Sequence, residues 1–198
     1  SLSLLWLLPI FMGAGFKQTV HRGEWQAYML DVGQGSAILI KTHKHHLLFD
    51  VGPRTSYDNE ASNKVIIPVL RGLGIKHLDY VVVSHSDLDH VGGFSELISQ
   101  VSVGHVYGSF SLDQWLAKEE MIFAKDYRPL NADLHAEVCL AGHHFELDGV
   151  SFSFIWPVQQ GVLPLKAKSA NEESCVLLVQ GEHHNLLLTG DIDRLIEE

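Results

Sequence analysis

The sequence predicts an α/β domain in which large mixed sheets are layered with helices. Short β-rich segments follow one another along the 198 residues, with helical segments interspersed between them. Hydrophobic residues make up 46% of the chain and charged residues 19%, so a sizeable core can form. The chain has no internal repeat and no low-complexity linker. One main domain therefore accounts for most of this length.

The first part of the predicted domain is a succession of strands. Apolar and β-branched runs predict strands over residues 25–30, 37–41 and 47–49. The glycine-containing segment Asp31-Val-Gly-Gln-Gly35 is a turn after the first strand, and the polar residues 43–46 form a hairpin connection before the third.

A helix, a buried strand and a polar loop come next. Residues 63–73 have apolar side chains at helical spacing, and Pro68 either kinks this helix or marks its first turn. The β-branched run 78–83 is typical of a buried strand. A polar, glycine-rich loop over 84–93 precedes a helix that starts at 94–98.

The second half of the chain alternates strands with one helix. The pattern predicts a helix around 112–125 and strands over 137–140 and 150–156. Residues 174–179 and 185–189 are predicted to form a hairpin. These elements complete the prediction of layered mixed sheets.

Charge and cysteine content exclude some classes of protein. The chain has 14 Lys and Arg against 24 Asp and Glu, a net charge of -10, which argues against binding nucleic acid through a general basic surface. Bound divalent cations would change that locally. The two cysteines, Cys139 and Cys175, form no CxxC pair, which excludes a structural zinc knuckle and leaves two thiols or one disulfide. There is also no nucleophile elbow and no P-loop.

Both ends of the chain suggest a piece of a longer protein. Residues 1–16 have no charged side chain, and we expect them to be the end of a transmembrane helix, although a buried strand or helix is the alternative. A linker over 17–23 and a domain over 24–198 would follow. The acidic segment 191–198 is typical of the opening of a helix.

A cluster of potential metal ligands follows the predicted buried strand. His85, Asp87, Asp89 and His90 lie within six residues of each other. Ligands in α/β folds bind at the carboxyl ends of strands. Imidazole nitrogen and carboxylate oxygen together suit zinc, manganese or iron, and such a loop can hold two ions. The alternative is a solvated acidic loop in which the aspartates cap a helix.

Three other segments have two interpretations each. Asp191 ends an apolar strand and either bridges two metal ions or caps the following helix. Asp50 also follows a strand, where it either orients a ligand or forms an Asx-turn. The segment from Asp31 to Ser36 either presents backbone N–H groups to a phosphate or is simply a tight turn.

These segments, in this order, resemble the metallo-β-lactamase superfamily. The family motif His-x-His-x-Asp-His is present as His85-Ser-Asp87-Leu-Asp89-His90, with Asp87 replacing the second histidine. That replacement resembles the C-terminal domain of ComEC-type DNA-internalisation (competence) membrane proteins. The further matching segments are 25–40, 48–52, 65–70, 78–85, 171–177 and 187–191.

The resemblance implies an αββα sandwich with a metal site at one edge of its two sheets. It also implies a location at the cytoplasmic membrane of a bacterium, with the domain on the extracytoplasmic (periplasmic) side and a membrane channel in the same polypeptide. Asn171 is nearest in order to a later family histidine, and we expect it to support the site. The family's His-His-Gly-Ser segment is expected beyond Asp191, so we expect a C-terminally truncated fold.

The activity implied is metal-dependent hydrolysis of single-stranded DNA, which degrades the strand that is not transported. His85 and Asp87 would bind one ion, Asp89 and His90 the other, and Asp191 would bridge them; Asp87, Asp89 and Asp191 are the expected catalytic residues. Because carboxylate replaces imidazole, manganese is favoured, with zinc as the alternative. The isolated domain is expected to be monomeric.

Two alternative functions remain open at this stage. One is a metallohydrolase of small esters, lactones or thioesters, and the other is a non-catalytic module that guides DNA. The even cysteine count and the implied extracytoplasmic location also predict a disulfide between Cys139 and Cys175.

Overall fold

The structure is a computed structural model that describes residues 19–56, 59–123, 134–158 and 169–193. The apolar segment 1–16, the first two residues of the predicted linker and the last five residues of the chain lie outside this described part.

The β-strands of the described residues form two principal sheets and one small hairpin. In chain order they are β1 (Gln26–Met29), β2 (Ile38–Lys41), β3 (His46–Phe49), β4 (Arg54–Ser56), β5 (Asn59–Glu60), β6 (His77–Val83), β7 (Ser102–Gly108), β8 (Ala136–Val138), β9 (His144–Leu147), β10 (Val150–Trp156), β11 (Val176–Gln180) and β12 (Asn185–Leu188). The first sheet is mixed, with the order β1-β2-β3-β6-β7-β8. Its first three strands are antiparallel, and β3, β6, β7 and β8 are parallel. The second sheet is antiparallel, with the order β12-β11-β10-β9.

Helices connect the parallel strands, as parallel pairing requires. In chain order they are α1 (Ile67–Leu73), α2 (Leu88–Val91), α3 (Phe94–Gln100) and α4 (Leu112–Phe123). A π-helical turn, Ser62–Ile66, runs directly into α1. Pro68 lies in the first turn of α1, where its missing N–H is tolerated, so the first-turn alternative is the observed one.

Two apolar cores explain the layering of the described residues. On one face of the mixed sheet, side chains such as Leu48 and Val81 pack against Leu70 and Phe94 of the helices. On the other face, Phe49 and Val82 pack against the second sheet. Strands that are buried on both faces read as continuous apolar runs, which is why residues 78–83 predict a buried strand. The described part thus has a helical layer and two sheets.

Some boundaries differ from the predictions. The strand predicted at 137–140 is β8, and it ends at Val138, although Cys139 N–H still donates to the Gly108 carbonyl (3.0 Å). The β4–β5 hairpin has no counterpart among the predictions because its strands are too short to show a period. Among the described residues, no helix is both long enough and apolar enough to span a membrane.

The Asp148 carboxylate joins two hairpin turns at one end of the sandwich. These are the β2–β3 turn and the β9–β10 turn. Asp148 accepts hydrogen bonds from Lys44 N–H (2.6 Å), Thr42 Oγ1 (2.8 Å) and His45 Nδ1 (2.9 Å). Burial alone would raise the pKa of Asp148, but these hydrogen bonds, led by that of Lys44, hold its pKa well below the usual range. The ionised carboxylate therefore ties the mixed sheet to the second sheet.

Candidate metal centre

Strands of both sheets end at the edge where the predicted ligands meet. Asp50 follows β3, and His85 follows the parallel neighbour β6 after one residue. The chain then turns through α2, which places His90 beside Asp50, and Val51 N–H donates to the His90 carbonyl (2.9 Å). Asp191 arrives from the second sheet, three residues after the end of β12. The site therefore forms at the carboxyl ends of the parallel strands.

Asp50 is a fully buried carboxylate that organises this edge. Its Oδ1 accepts from Ser84 N–H (2.7 Å), and its Oδ2 accepts from Ser84 Oγ (3.0 Å) and from His90 Nδ1 (2.8 Å). Its backbone has φ 59°, a left-handed conformation that aspartate tolerates better than most residues. The Asp50 side chain thus accepts from Ser84 and His90, the arrangement expected of a carboxylate that orients a ligand. Gly52 N–H donates to the Ser36 carbonyl and closes no Asx-turn with Asp50.

This hydrogen-bond network determines which ring nitrogen carries the proton in both histidines. Ser84 Oγ has one proton, which it donates to Asp50, so the oxygen accepts from His85 Nδ1–H (2.9 Å). His90 Nδ1–H donates to Asp50 in the same way. In the neutral form of each ring, Nε2 then carries the lone pair and can bind a cation. Sequence reasoning missed Ser84, and its only signal is a polar residue at the end of a buried strand.

The two histidines and Asp191 form a group of suitable size for metal binding. One ligand atom from each of His85, His90 and Asp191 lies within 4.8 Å of the others. His90 Nε2 is 3.4 Å from Asp191 Oδ1, and the two imidazole centroids are 4.2 Å apart. His85 Nε2 is buried without a hydrogen-bond partner. A buried lone pair without a partner is costly, and a bound cation would satisfy it. The donor set therefore fits a divalent metal ion.

The pKa values of the two histidines shift in opposite directions because their surroundings differ. Burial, with a contribution from the neighbouring His90, lowers the pKa of His85. Burial also acts to lower the pKa of His90, but the hydrogen bond and charge of Asp50 outweigh it and raise that pKa. His85 is therefore neutral at pH 7, as a metal ligand must be.

The structure does not bring Asp87 and Asp89 into this group. Asp87 Oδ2 lies 3.5 Å from His85 Nε2, beside the group, and half of the Asp87 side chain is exposed, as is half of the Asp191 side chain. Asp87 precedes α2, and its backbone carbonyl, rather than its side chain, accepts hydrogen bonds there. The Asp89 carbonyl accepts from Ser36 N–H (3.3 Å) in the Asp31–Ser36 turn. Three of the five predicted ligands thus lie together, and the roles of Asp87 and Asp89 stay predictions.

Two glycines allow close backbone contacts at the site. A Cβ atom at Gly35 would overlap the Asp89 carbonyl, and Gly35 has φ 115°. Gly190, with φ 55°, lies against Ser84 and Ser174, where a Cβ atom would be 2.7 Å from Ser84 Cβ. Only glycine fits this position without strain. The next residue, Asp191, is thereby held close to the histidines.

The segment before β11 also touches the site. Asn171 begins a 3₁₀ turn, Asn171–Glu173, and its carbonyl accepts from Ser174 N–H (3.0 Å). A supporting role for the Asn171 side chain stays a prediction. Cys175 forms a disulfide with Cys139, with Cα atoms 6.0 Å apart, and Cys175 N–H donates to the Ser84 carbonyl (2.8 Å).

The chain is similar to known proteins over most of its length. Competence protein ComA of Neisseria gonorrhoeae is 32% identical over 209 residues, covering 99% of this chain and 26% of that protein. Uncharacterized protein YcaI of Escherichia coli (strain K12) is 31% identical over 175 residues, covering 88% and 20%. The chain thus spans about a fifth to a quarter of the length of these relatives.

Structural and family comparisons define the fold. A metallo-β-lactamase with a HARLDQ motif from Cronobacter sakazakii aligns with a TM-score of 0.54 at 20% identity, covering 89% of this chain and 62% of that one. The metallo-beta-lactamase superfamily model matches residues 30–194. The fold and the resemblance to competence proteins were predicted and are confirmed. The metallo-β-lactamase fold also implies divalent metal ions. This chain belongs to the metallo-β-lactamase superfamily.

Proposed function

We propose that this chain is a metal-dependent phosphodiesterase domain that cleaves DNA during DNA uptake. The observation that carries the proposal is the group of His85, His90 and Asp191, in which the buried Nε2 atom of His85 has no hydrogen-bond partner. The similarity to a relative named Competence protein ComA supports DNA as the substrate.

The residues have distinct roles in this proposal. His85, His90 and Asp191 hold the metal, and Asp87 and Asp89 lie on the same turn, where they add carboxylate ligands for a second ion. The bound metals, manganese or zinc, would lower the pKa of a water molecule and stabilise the leaving oxygen of the phosphodiester. Because half of the Asp191 side chain is exposed, the DNA backbone can approach the group from the solvent side.

Other residues of the chain hold the ligands in place. Asp50 and Ser84 fix the imidazole orientations, so that both Nε2 atoms face the place where the scissile phosphate binds. The net charge of -10 disfavours recruitment of DNA by the protein surface. Phosphate therefore reaches the site through the metal charge, which is the largest local charge there.

The biological setting of this proposal is DNA uptake at a bacterial cytoplasmic membrane. The domain faces the extracytoplasmic side, belongs to the same polypeptide as a membrane channel and acts as a monomer. Its substrate is the single strand that the channel does not transport. The name of Competence protein ComA and the Cys139–Cys175 disulfide support this setting, because disulfides persist in oxidising compartments.

The test is cleavage of end-labelled single-stranded DNA with Mn²⁺ or Zn²⁺. The wild-type chain is compared with Asp89→Ala, Asp191→Asn and the control Asp113→Asn, an exposed aspartate in the first turn of α4. We expect the wild type and the control to cleave, and Asp191→Asn to lose at least about 100-fold in rate, as for loss of a charge that stabilises the transition state. Unchanged cleavage by both Asp89→Ala and Asp191→Asn refutes the assignment.

The same assay separates the alternative functions. The exclusion of Asp87 and Asp89 from the close group favours, as a second candidate, a non-catalytic module that guides DNA. Metal-dependent binding of the strand without cleavage would support that module. Turnover of a small ester with no cleavage of DNA would instead indicate an ester hydrolase.

A further inference from the structure

We infer that the Cys139–Cys175 disulfide is a positioning element of the metal centre, rather than a general fastener of the fold. The inference rests on the metal site of the proposed function, and it does not depend on DNA being the substrate. Under this inference, a covalent bond between two residues that are not predicted ligands raises the metal affinity of the chain.

The disulfide lies at the same edge of the sandwich as the metal ligands. Cys139 follows β8, and its N–H donates to the carbonyl of Gly108, the last residue of β7. Gly108 is in register with Val83, the last residue of β6. A backbone hydrogen bond therefore connects Cys139 to Gly108, and the strand register connects Gly108 to Val83, one residue before Ser84.

The other half of the disulfide belongs to the second sheet. Cys175 directly precedes β11, and both sulfur-bearing residues are fully buried. The bond thus crosses the gap between the two sheets. Cys175 Sγ also lies 3.6 Å from the Val83 carbonyl oxygen, so the bridge packs against the end of the strand that carries the site.

From Cys175 the contact continues directly into the ligand network. Cys175 N–H donates to the Ser84 carbonyl at 2.8 Å. The hydroxyl of the same Ser84 accepts from His85 Nδ1 and donates to Asp50, which in turn holds His90. A shift of Cys175 relative to the mixed sheet therefore displaces the residue that orients both histidines.

The third ligand is tied to the same place. Gly190 packs between Ser84 and Ser174, with no room for a Cβ atom, and Asp191 is the next residue. The segments that end in His85, Cys175 and Asp191 thus touch at one point. The His85 segment belongs to the mixed sheet itself. Of the two segments from the second sheet, the Cys175 segment is joined to the mixed sheet by the disulfide. The disulfide therefore holds Asp191, the ligand from the second sheet, in position relative to the histidines of the mixed sheet.

The test is metal affinity, measured without DNA. Mn²⁺ is titrated calorimetrically into the wild-type chain, into the double variant Cys139→Ala/Cys175→Ala, and into the control Thr42→Val. Thr42 also links the two sheets, through Asp148 at the opposite end of the sandwich, so its loss weakens inter-sheet packing away from the site. Circular dichroism and thermal unfolding establish that each variant is folded.

We expect the double variant to bind Mn²⁺ about 10- to 100-fold more weakly, as for the loss of other groups that orient ligands, and the control to bind like the wild type. Equal affinity of the double variant and the wild type would overturn the inference. Equal weakening in the double variant and the control would overturn it as well, because the effect would then be general destabilisation.

A second measurement applies if the double variant does not fold. Hydrogen exchange of the wild-type chain is followed with and without saturating Mn²⁺. We expect the metal to slow exchange of the Cys175 amide, which donates to Ser84, more than exchange of the Lys44 amide, which donates to Asp148. Equal slowing of the two amides would contradict the coupling.

These readouts separate the two proposals. If the wild type binds no divalent cation, both the proposed function and this inference fail. If it binds Mn²⁺ but cleaves no DNA, only the nuclease proposal fails. If it binds and cleaves while the double variant binds equally tightly, only this inference fails.

Discussion

Replacing Asp50 by asparagine tests whether one carboxylate sets the orientation of both histidines. Asp50→Asn keeps the shape of the side chain and tolerates the left-handed backbone at φ 59°. Alanine at this position would add backbone strain and leave three donors without an acceptor. The asparagine variant therefore isolates the hydrogen-bonding role from the conformational one.

The expected effect follows from the donors that face the side chain. If the new NH₂ replaces Oδ1, it meets Ser84 N–H and one hydrogen bond is lost. If it replaces Oδ2, its N–H groups face His90 Nδ1, which must then be unprotonated and accept a hydrogen bond. That tautomer of His90 carries its proton on Nε2, the atom that faces Asp191, and it cannot bind a metal there.

Either arrangement weakens metal binding. Loss of a group that orients a ligand typically reduces affinity by about 10- to 100-fold, which corresponds to about 1.4–2.7 kcal/mol. The assay is calorimetric titration of Zn²⁺ or Mn²⁺ into the wild type, Asp50→Asn and the control Asp113→Asn. If folded Asp50→Asn binds metal as tightly as the wild type, Asp50 does not set the histidine tautomers.

Two further predictions concern the opposite end of the sandwich and the approach to Asp191. Asp148→Asn should lower the free energy of unfolding by about 1–3 kcal/mol with no change in metal affinity, as measured by urea unfolding. Because folding lowers the pKa of Asp148, the stabilisation by its ionised carboxylate should be present at neutral pH. It should be lost as the pH falls below about 4, the pKa of aspartate in the unfolded chain. A free energy of unfolding that does not change between pH 7 and pH 3 would contradict this. Gly190→Ala should reduce both stability and metal affinity, because its Cβ overlaps Ser84 at a positive φ; wild-type affinity in calorimetry would refute that packing.

Local sequence patterns predicted the parts of the site that are close in the chain. The apolar run ending at Val83 indicates a buried strand, and the polar residues that follow indicate a site at its carboxyl end. These features depend on residues within about ten positions of each other, where periodicity is informative. His85 and His90 could be identified in this way.

The connections between the parts could not be predicted because they depend on distant residues. Asp50 contacts Ser84 and His90 across 34 and 40 residues, so no local pattern decides between an orienting carboxylate and a turn residue. The same applies to Ser84, whose role depends on what its hydroxyl reaches. For Asp87 and Asp89, the spacing predicted ligands, but the close group consists of His85, His90 and Asp191, and the spacing alone could not show which carboxylates join it.

The metal group contains contributions from both sheets, and this has a mechanical consequence. His85 and His90 depend on the mixed sheet, whereas Asp191 depends on β12 of the second sheet. Any change in the spacing of the sheets therefore moves the carboxylate relative to the imidazoles. Packed interiors resist such sliding because their side chains interdigitate at crystal-like density. The buried aromatic side chains between the sheets, together with the disulfide at the site edge, thus determine ligand spacing as well as stability. For this reason we expect metal affinity to depend on packing between the sheets, and variants there should be ranked by affinity as well as by free energy of unfolding.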